Sequence, residues 1–339
     1  TNPISLGTTI GFLDNAGKNS RFYEMASIRR EGEPEVIEQS AVVSRLFEND
    51  LKTISNSREN SVILFSEDST SSLYGYRYFD QIRERKLASW FRWTLPGTIK
   101  YHCMQDDALY VVLENGTSRE LLKYAIKMDS ETLQLAENRV HMDYLMPQTA
   151  LATSAYSSGV TTFNKPSGLN GVGQIAAYDI DGTDSIGNYE LVTDNGNGTL
   201  SINGNWTGNP FLIGYLYTMS VTLPTLYYVT QTGESFRADT RSNTILHRVK
   251  IGFGPVGVYE TTLARKGRTD YTELFEVTPA NQYTANSTGI FDDDILRTVP
   301  IYDRNINASL TIKSTHPSPA TVHNLTWEGI LNNNFYTRV

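Results

Sequence analysis

Two strand-like segments recur 48 residues apart, and this repeat narrows the fold more than any other feature of the chain. Val62-Ile63-Leu64-Phe65 and Leu73-Tyr74-Gly75-Tyr76-Arg77-Tyr78 return, 48 positions on, as Tyr110-Val111-Val112-Leu113 and Leu121-Leu122-Lys123-Tyr124-Ala125-Ile126. Between them lie Trp90-Phe91-Arg92-Trp93 and a strand-like stretch around Ile99-Lys100-Tyr101-His102-Cys103. Four short strands in roughly 40–50 residues is the spacing of β-propeller blades. A single four-stranded sheet cannot bury both faces, so neighbouring sheets must stack. The alternative is two adjacent hairpins of similar composition. Two blades are visible at 61–140, whereas a propeller needs at least about four. The remainder is expected upstream of Thr1, and the absence of an initiating methionine agrees with a chain that is the C-terminal part of something longer.

Composition supports a mainly β chain. Glycine (25) and tyrosine (20) are abundant, asparagine and threonine are plentiful, and long Ala/Glu/Lys/Leu runs are missing, which favours strands and turns over helices. At 339 residues the chain exceeds the roughly 250–300 at which one core stops growing, so more than one packed unit is expected.

Four regions follow from the patterning. Residues 1–60 read as a connecting region with one amphipathic helix over 34–48, because Pro34 suits a first helical turn and Ile37, Ser40, Val43, Leu46 and Phe47 fall on one face. Residues 61–140 are the blades. Residues 141–205 form a Ser/Thr/Gly-rich β insert, with a hairpin signal at Asp194-Asn195-Gly196-Asn197-Gly198 between Tyr189–Val192 and Leu200–Ile202. Residues 206–339 read as a β-sandwich-like unit. Ile245, His247, Val249, Ile251 and Phe253 alternate as a half-buried strand, Tyr271, Glu273, Phe275 and Val277 as another, and turns are expected at Gly252–Gly257 and Asn305–Asn307.

Charge limits the function. The 29 Lys+Arg against 37 Asp+Glu leave a net −8, and the short basic runs Arg29-Arg30 and Arg83-Glu84-Arg85-Lys86 sit beside carboxylates. A protein that grips nucleic acid needs clustered positive charge. One that merely surrounds DNA does not. The single cysteine, Cys103, excludes an intrachain disulfide and a multi-cysteine metal site. No stretch of 18 apolar residues is present.

No candidate constellation reaches an active site, so catalytic, cofactor-binding and metal residues are all assigned as none. Asp179-Ile180-Asp181-Gly182-Thr183-Asp184 through Glu190 places oxygens at positions 1, 3, 5 and 12 as a calcium loop does, but its sixth position is Asp184 rather than glycine. Asp292-Asp293-Asp294 and Asp106-Asp107 are adjacent carboxylates that point apart on a strand, unlike the convergent pair of a glycosidase. His102-Cys103 face away from each other, and Cys103 reads as a small buried apolar group. His141, His247, His316 and His323 lack metal-ligand spacing. Gly252-Phe253-Gly254-Pro255 reads as a turn rather than a phosphate loop. Trp90 and Trp93 suit interior packing between blades better than sugar stacking.

Three stretches resemble the tail tubular protein B, or nozzle, family of short-tailed bacteriophages. They are Phe12-Leu13 through Arg21-Phe22-Tyr23-Glu24-Met25; Ala88-Ser89-Trp90-Phe91-Arg92-Trp93 through Leu109-Tyr110-Val111-Val112-Leu113; and Leu212-Ile213-Gly214-Tyr215-Leu216-Tyr217 with Trp327-Glu328-Gly329. The resemblance covers nearly the whole chain and is weakest over 150–205. It implies a structural virion protein, located in the phage tail and assembled in the host bacterial cytoplasm. It further implies a homohexameric ring that conducts double-stranded DNA without sequence-specific binding, contacts a tail adaptor protein and the host cell surface, and carries tail fibres. No enzymatic activity is expected. The competing readings are a carbohydrate-binding β module and a tailspike-type glycan hydrolase.

Overall fold

The structure, a computed structural model, describes residues 3–7, 9–14, 21–26, 34–81, 84–106, 108–126, 140–148, 155–180, 189–208, 210–232, 235–240, 242–276 and 294–332. Its sheets are antiparallel throughout, and the only helical element among the described residues is one 3-10 turn at Ala41–Val43. The mainly β expectation holds. The chain forms two compact units, residues 1–133 with 166–173, and residues 134–165 with 174–339.

Among the described residues the first unit contains three sheets. The first pairs Ile4–Ser5, Thr9–Leu13, Phe22–Ala26 and Glu35–Glu38 in chain order. The second pairs Leu51–Ser57, Val62–Glu67, Ser72–Gln81 and Glu84–Thr94, and the third pairs Thr98–Gln105, Ala108–Asn115 and Ser118–Ala125. The middle sheet is covered on both faces, and every residue of Val62–Glu67 is buried. Ile63, Phe65, Tyr74 and Tyr76 meet Leu13 and Phe22 of the first sheet. On its other face Ser55, paired with Leu64, lies 2.8 Å from the imidazole of His102 in the third sheet. Period-two alternation explains this arrangement, since a strand apolar at every position has two faces to cover.

The repeat falls on successive hairpins, Leu64 and Tyr76 in the second sheet, Val112 and Tyr124 in the third. Strand identity and facing repeat, but pairing does not. Leu64 lies opposite Gly75, whereas Val112 lies opposite Leu121, two residues short of the 48-residue equivalent Lys123. The tighter Gly116-Thr117 turn, closed by Asn115 opposite Ser118, produces that shift without turning any side chain to the other face.

The helix expected over 34–48 does not form. Glu35–Glu38 is an edge strand on Phe22–Ala26, and the Ser40 hydroxyl accepts the Phe22 N–H. The backbone N–H groups of Glu48 and Asn49 donate to the buried Glu67 carboxylate at 2.7 and 2.9 Å. Sheet pairing and these side-chain acceptors use the backbone groups that a helix needs for itself. The region read as connecting thus holds a four-stranded sheet.

In the second unit a seven-stranded sheet runs in the order Asp143–Gln148, Phe211–Tyr215, Ile175–Asp179, Tyr189–Asp194, Thr199–Asn203, Val160–Asn164, Ala155–Ser157. The hairpin expected at Asn195–Gly198 is present, with Gly196 and Gly198 at φ 73° and 82°, values that L side chains rarely adopt. Two further sheets face each other as a sandwich. One contains Met219–Thr222, Ala308–Ser314, Val258–Arg265 and Tyr271–Glu276; the other contains Ile295–Arg304, Asn243–Val256 and Ala320–Asn332. Val249, Ile251, Phe253 and Val299 from one meet Tyr259, Leu263, Leu310 and Ile312 from the other. A two-stranded ribbon, Val229–Thr232 with Ser235–Ala238, completes the described strands.

The turn expected at Gly252–Gly257 is a correction. Gly252, Phe253, Gly254 and Pro255 lie inside the long strand Asn243–Val256, whose register shifts at Gly252/Phe253 and again before Val256. Added Cβ atoms at Gly252 and Gly254 would collide with the side chains of Asn324 and His323, so these glycines make room for side chains laid across the strand. The turn at Asn305–Asn307 is present between Ile295–Arg304 and Ala308–Ser314.

Candidate functional site

The sequence candidates are dispersed by the fold. Asp179 and Glu190 end up on adjacent antiparallel strands, Glu190 opposite Ala177, while residues 181–188 of the calcium-loop candidate lie outside the described residues. Asp107, Asp292 and Asp293 also lie outside them. Asp106 is exposed in a turn at φ 53°, and the exposed Asp294 lies 3.7 Å from His323. His247 stacks on Tyr302. Among the described residues, no group of three or more His, Cys, Asp or Glu side chains is arranged to hold a metal ion.

His102 and Cys103 do face opposite ways. His102 is 1% exposed, while Cys103 is exposed, which corrects the expectation of a buried thiol. Their strand alternates, and the inward position belongs to His102. Burial pushes the His102 imidazole down to about 4, against a smaller raising effect of the Thr53 backbone.

Trp90 sits at the centre of an aromatic cluster, with ring centroids 4.8 Å from Tyr76, 5.3 Å from Phe65 and 5.4 Å from Phe47. It packs the second sheet against the first, as a residue between stacked sheets should. Trp93 is 38% exposed and meets Phe91 at 5.1 Å.

One group of perturbed acids and bases in the second unit was announced by no motif. The backbone N–H of His141 donates to the Pro317 carbonyl at 2.7 Å, and the neighbouring His316 meets the Tyr189 ring edge-on at 4.3 Å. Burial lowers His141, lowers His316 to about 4 and raises Asp143 to about 6. Local burial and the Asp143 charge push the Tyr217 phenol up to about 12. An acid near 6 is suited to proton transfer. The two histidines, however, are held neutral, and the His316 imidazole is engaged by the Ser318 hydroxyl and N–H. These are half-buried side chains, with Tyr217 41% exposed, rather than a nucleophile with its base. The apolar void lined by Leu223, Leu226, Leu246, Val249, Ile301 and Leu310 holds about 10 Å³, room for one water at most.

What the first unit offers instead is surface. The outer face of the first sheet carries a cross-strand row Ile10–Met25–Val36, beside the stacked rings of Phe12 and Tyr23. The outer face of the third sheet carries the row Tyr101–Val112–Leu121, beside Cys103–Tyr110–Lys123. Tyr101 and Leu121 are 57% and 69% exposed, Ile10 and Val36 41% and 48%.

Among solved structures, the chain is similar to an exo-β-1,3-galactanase from Phanerochaete chrysosporium, at 10% identity and a TM-score of 0.23, with 96% of this chain and 95% of that one covered. It is similar also to SGBP-B from a complex xyloglucan utilization locus in Bacteroides uniformis, at 10% identity and a TM-score of 0.15, covering 82% and 98%. Likenesses of that size carry no argument about fold or chemistry. No curated protein matches the chain. The family model for the bacteriophage nozzle protein matches residues 1–338, in agreement with the three sequence stretches that resemble that family. The chain therefore belongs to the bacteriophage nozzle protein family and is a structural protein of the phage tail.

Proposed function

We propose that this chain builds the wall of a tail conduit, a homohexameric ring through which double-stranded DNA passes during ejection, and that it catalyses no reaction. The observation that carries this reading is the family match over residues 1–338. A net charge of −8 supports it physically, because strong attraction to phosphates would retard sliding DNA. In the same reading the three stacked sheets of the first unit are β-propeller blades. The ring docks a tail adaptor at one end, carries tail fibres on its outside, meets the host surface at the other end and is assembled in the host cytoplasm.

Identical chains around a channel require head-to-tail contacts whose rotation closes. Light scattering of the protein with and without its tail adaptor tests this, with negatively stained images to show rings. About six copies are expected. A protein that stays monomeric with the adaptor present overturns the conduit. Turnover of a capsular sugar or nucleotide, abolished by one carboxylate substitution, overturns the non-catalytic assignment.

A further inference from the structure

We infer that the turn at residues 315–319 is an acid-released latch, in which protonation of His316 frees the joint between the seven-stranded sheet and the sandwich of the second unit. The latch goes beyond the conduit and works alike in a ring or in a single chain.

The turn joins both sheets of the sandwich and reaches the seven-stranded sheet. It connects Ala308–Ser314 of one sandwich sheet to Ala320–Asn332 of the other. Its Pro317 carbonyl accepts the backbone N–H of His141 at 2.7 Å, just before the edge strand Asp143–Gln148 of the seven-stranded sheet. Its Pro319 carbonyl accepts the Gly257 N–H at 2.8 Å. The His316 ring itself rests on Tyr189, the first residue of another strand of the seven-stranded sheet.

Hydrogen-bond direction makes His316 the pin. The Ser318 backbone N–H donates to Nδ1 of His316 at 3.1 Å, so that nitrogen carries no proton and the neutral ring holds its proton on Nε2. The Ser318 hydroxyl accepts the Val258 N–H at 3.1 Å and lies 2.8 Å from the same Nδ1, to which it can only donate. Both donors of Ser318 therefore depend on one lone pair. A proton on Nδ1 removes it, and Ser318 is only 4% exposed, between the buried Pro317 and Pro319. Donors stranded in a buried setting are costly. Opening the turn returns them to water, and the carbonyls that hold His141 and Gly257 leave with it.

The charges around the turn favour that step. The Tyr189 phenol is raised by burial and by the charges of Glu276 and Glu190, and Tyr217 is raised to about 12 by burial and the Asp143 charge. These carboxylates attract a cation. On the strand leading into the turn, the exposed Lys313 lies opposite Glu260. His141, lowered by burial, repels a charged His316 once it is charged itself, which adds to opening in acid. Burial lowers His316 from the ordinary 6.5 to about 4. The open turn thus takes up this proton at a higher pH than the closed one, so the latch is complete above about pH 6.5 and loosens as pH falls toward 4.

Hydrogen exchange of the full chain, normalised to the intrinsic rate at each pH, tests the latch. Between pH 7.5 and 4.5, peptides covering His141, Gly257, Val258 and Ser318 should lose protection by roughly 10- to 70-fold, while the core strand around Val249 and Phe253 keeps its own. His316→Asn keeps an acceptor two residues before the Ser318 N–H, as asparagine does in turns, but takes up no proton. It should hold the turn and remove the loss in acid. Unchanged protection in the natural sequence overturns the latch, as does a loss that persists in His316→Asn or spreads evenly to Val249 and Phe253. If His316→Asn does not hold the turn at pH 7.5, nitrogen-15 histidine spectra of the natural sequence decide. A proton on Nε2 and a titration midpoint well below 6.5 support the latch; a proton on Nδ1, or a midpoint near 6.5, overturns it.

Discussion

The Ser55 hydroxyl lies 2.8 Å from Nδ1 of His102 and ties the second sheet of the first unit to the third. The opposite ring nitrogen, Nε2, is buried without a hydrogen-bond partner. A neutral imidazole satisfies this site; a charged one would need a second acceptor.

That arrangement predicts acid sensitivity. The folded pKa of His102 is about 4, below the ordinary 6.5, so between these values the unfolded chain binds more protons than the folded one. Stability is complete above about pH 6.5 and falls as pH drops toward 4, by at most about 3 kcal/mol for this group. Thermal melts from pH 7.5 to 4.5 should show a falling midpoint, and His102→Gln, which keeps a partner for Ser55, should flatten the slope. An unchanged slope in the variant removes His102 as the cause.

Gly214 and Gly329, both within stretches that resemble the nozzle family, occupy positions where a neighbouring strand backbone approaches. A Cβ at Gly214 would lie 2.7 Å from the Asp143 carbonyl, and one at Gly329 would overlap the Ile245 carbonyl. Each sits beside a register shift in its strand pair. Gly214→Ala and Gly329→Ala should each cost about 1–3 kcal/mol in denaturant melts, because backbone must move. Gly254→Ala meets only the half-exposed His323 side chain, which can swing away, and should cost clearly less.

The two tryptophans of Trp90-Phe91-Arg92-Trp93 should separate sharply under truncation. Trp90→Ala empties the centre of a five-ring cluster with Phe22, Phe47, Phe65 and Tyr76 and should cost about 3–5 kcal/mol. Trp93→Ala, at a position 38% exposed, should cost about 1 kcal/mol or less. Equal losses in chemical denaturation would show that the two share one environment.

Glu67 receives the backbone N–H groups of Glu48 and Asn49 and the Tyr74 hydroxyl while itself only 2% exposed. Replacing it with leucine takes this acceptor from the buried Tyr74 hydroxyl, at about 1–3 kcal/mol, whereas the exposed Glu48 and Asn49 can turn their N–H groups to water. Hydrogen exchange should accelerate first at Glu48 and Asn49. Unaltered exchange there would mean that the 41–49 turn is held by other contacts.

What the chain declares by itself is its period. Alternation over Val249, Ile251 and Phe253 and the repeated hairpins at 62–78 and 110–126 are local properties, because a strand shows its two faces in every second residue, whereas the register shift between Leu246 and Arg248 buries Leu246 in place of the expected Ile245 and His247. The Asn195–Gly198 turn is equally local, since glycine admits backbone angles that other residues resist. Tertiary structure decided the remainder. Residues 34–48 carry a helical spacing, but the preceding strand Phe22–Ala26 offers a sheet edge and Glu67 an acceptor, and the spacing within 34–48 registers neither. Gly252 and Gly254 look like a turn until Asn324 and His323, some 70 residues away (252 to 324, 254 to 323), are seen lying across them. Cys103 reads as buried by its type, whereas the parity of its strand turns it outward and gives the interior to His102. Side-chain period is written in neighbours along the chain, but which face is covered depends on a second sheet, whose position no local pattern encodes.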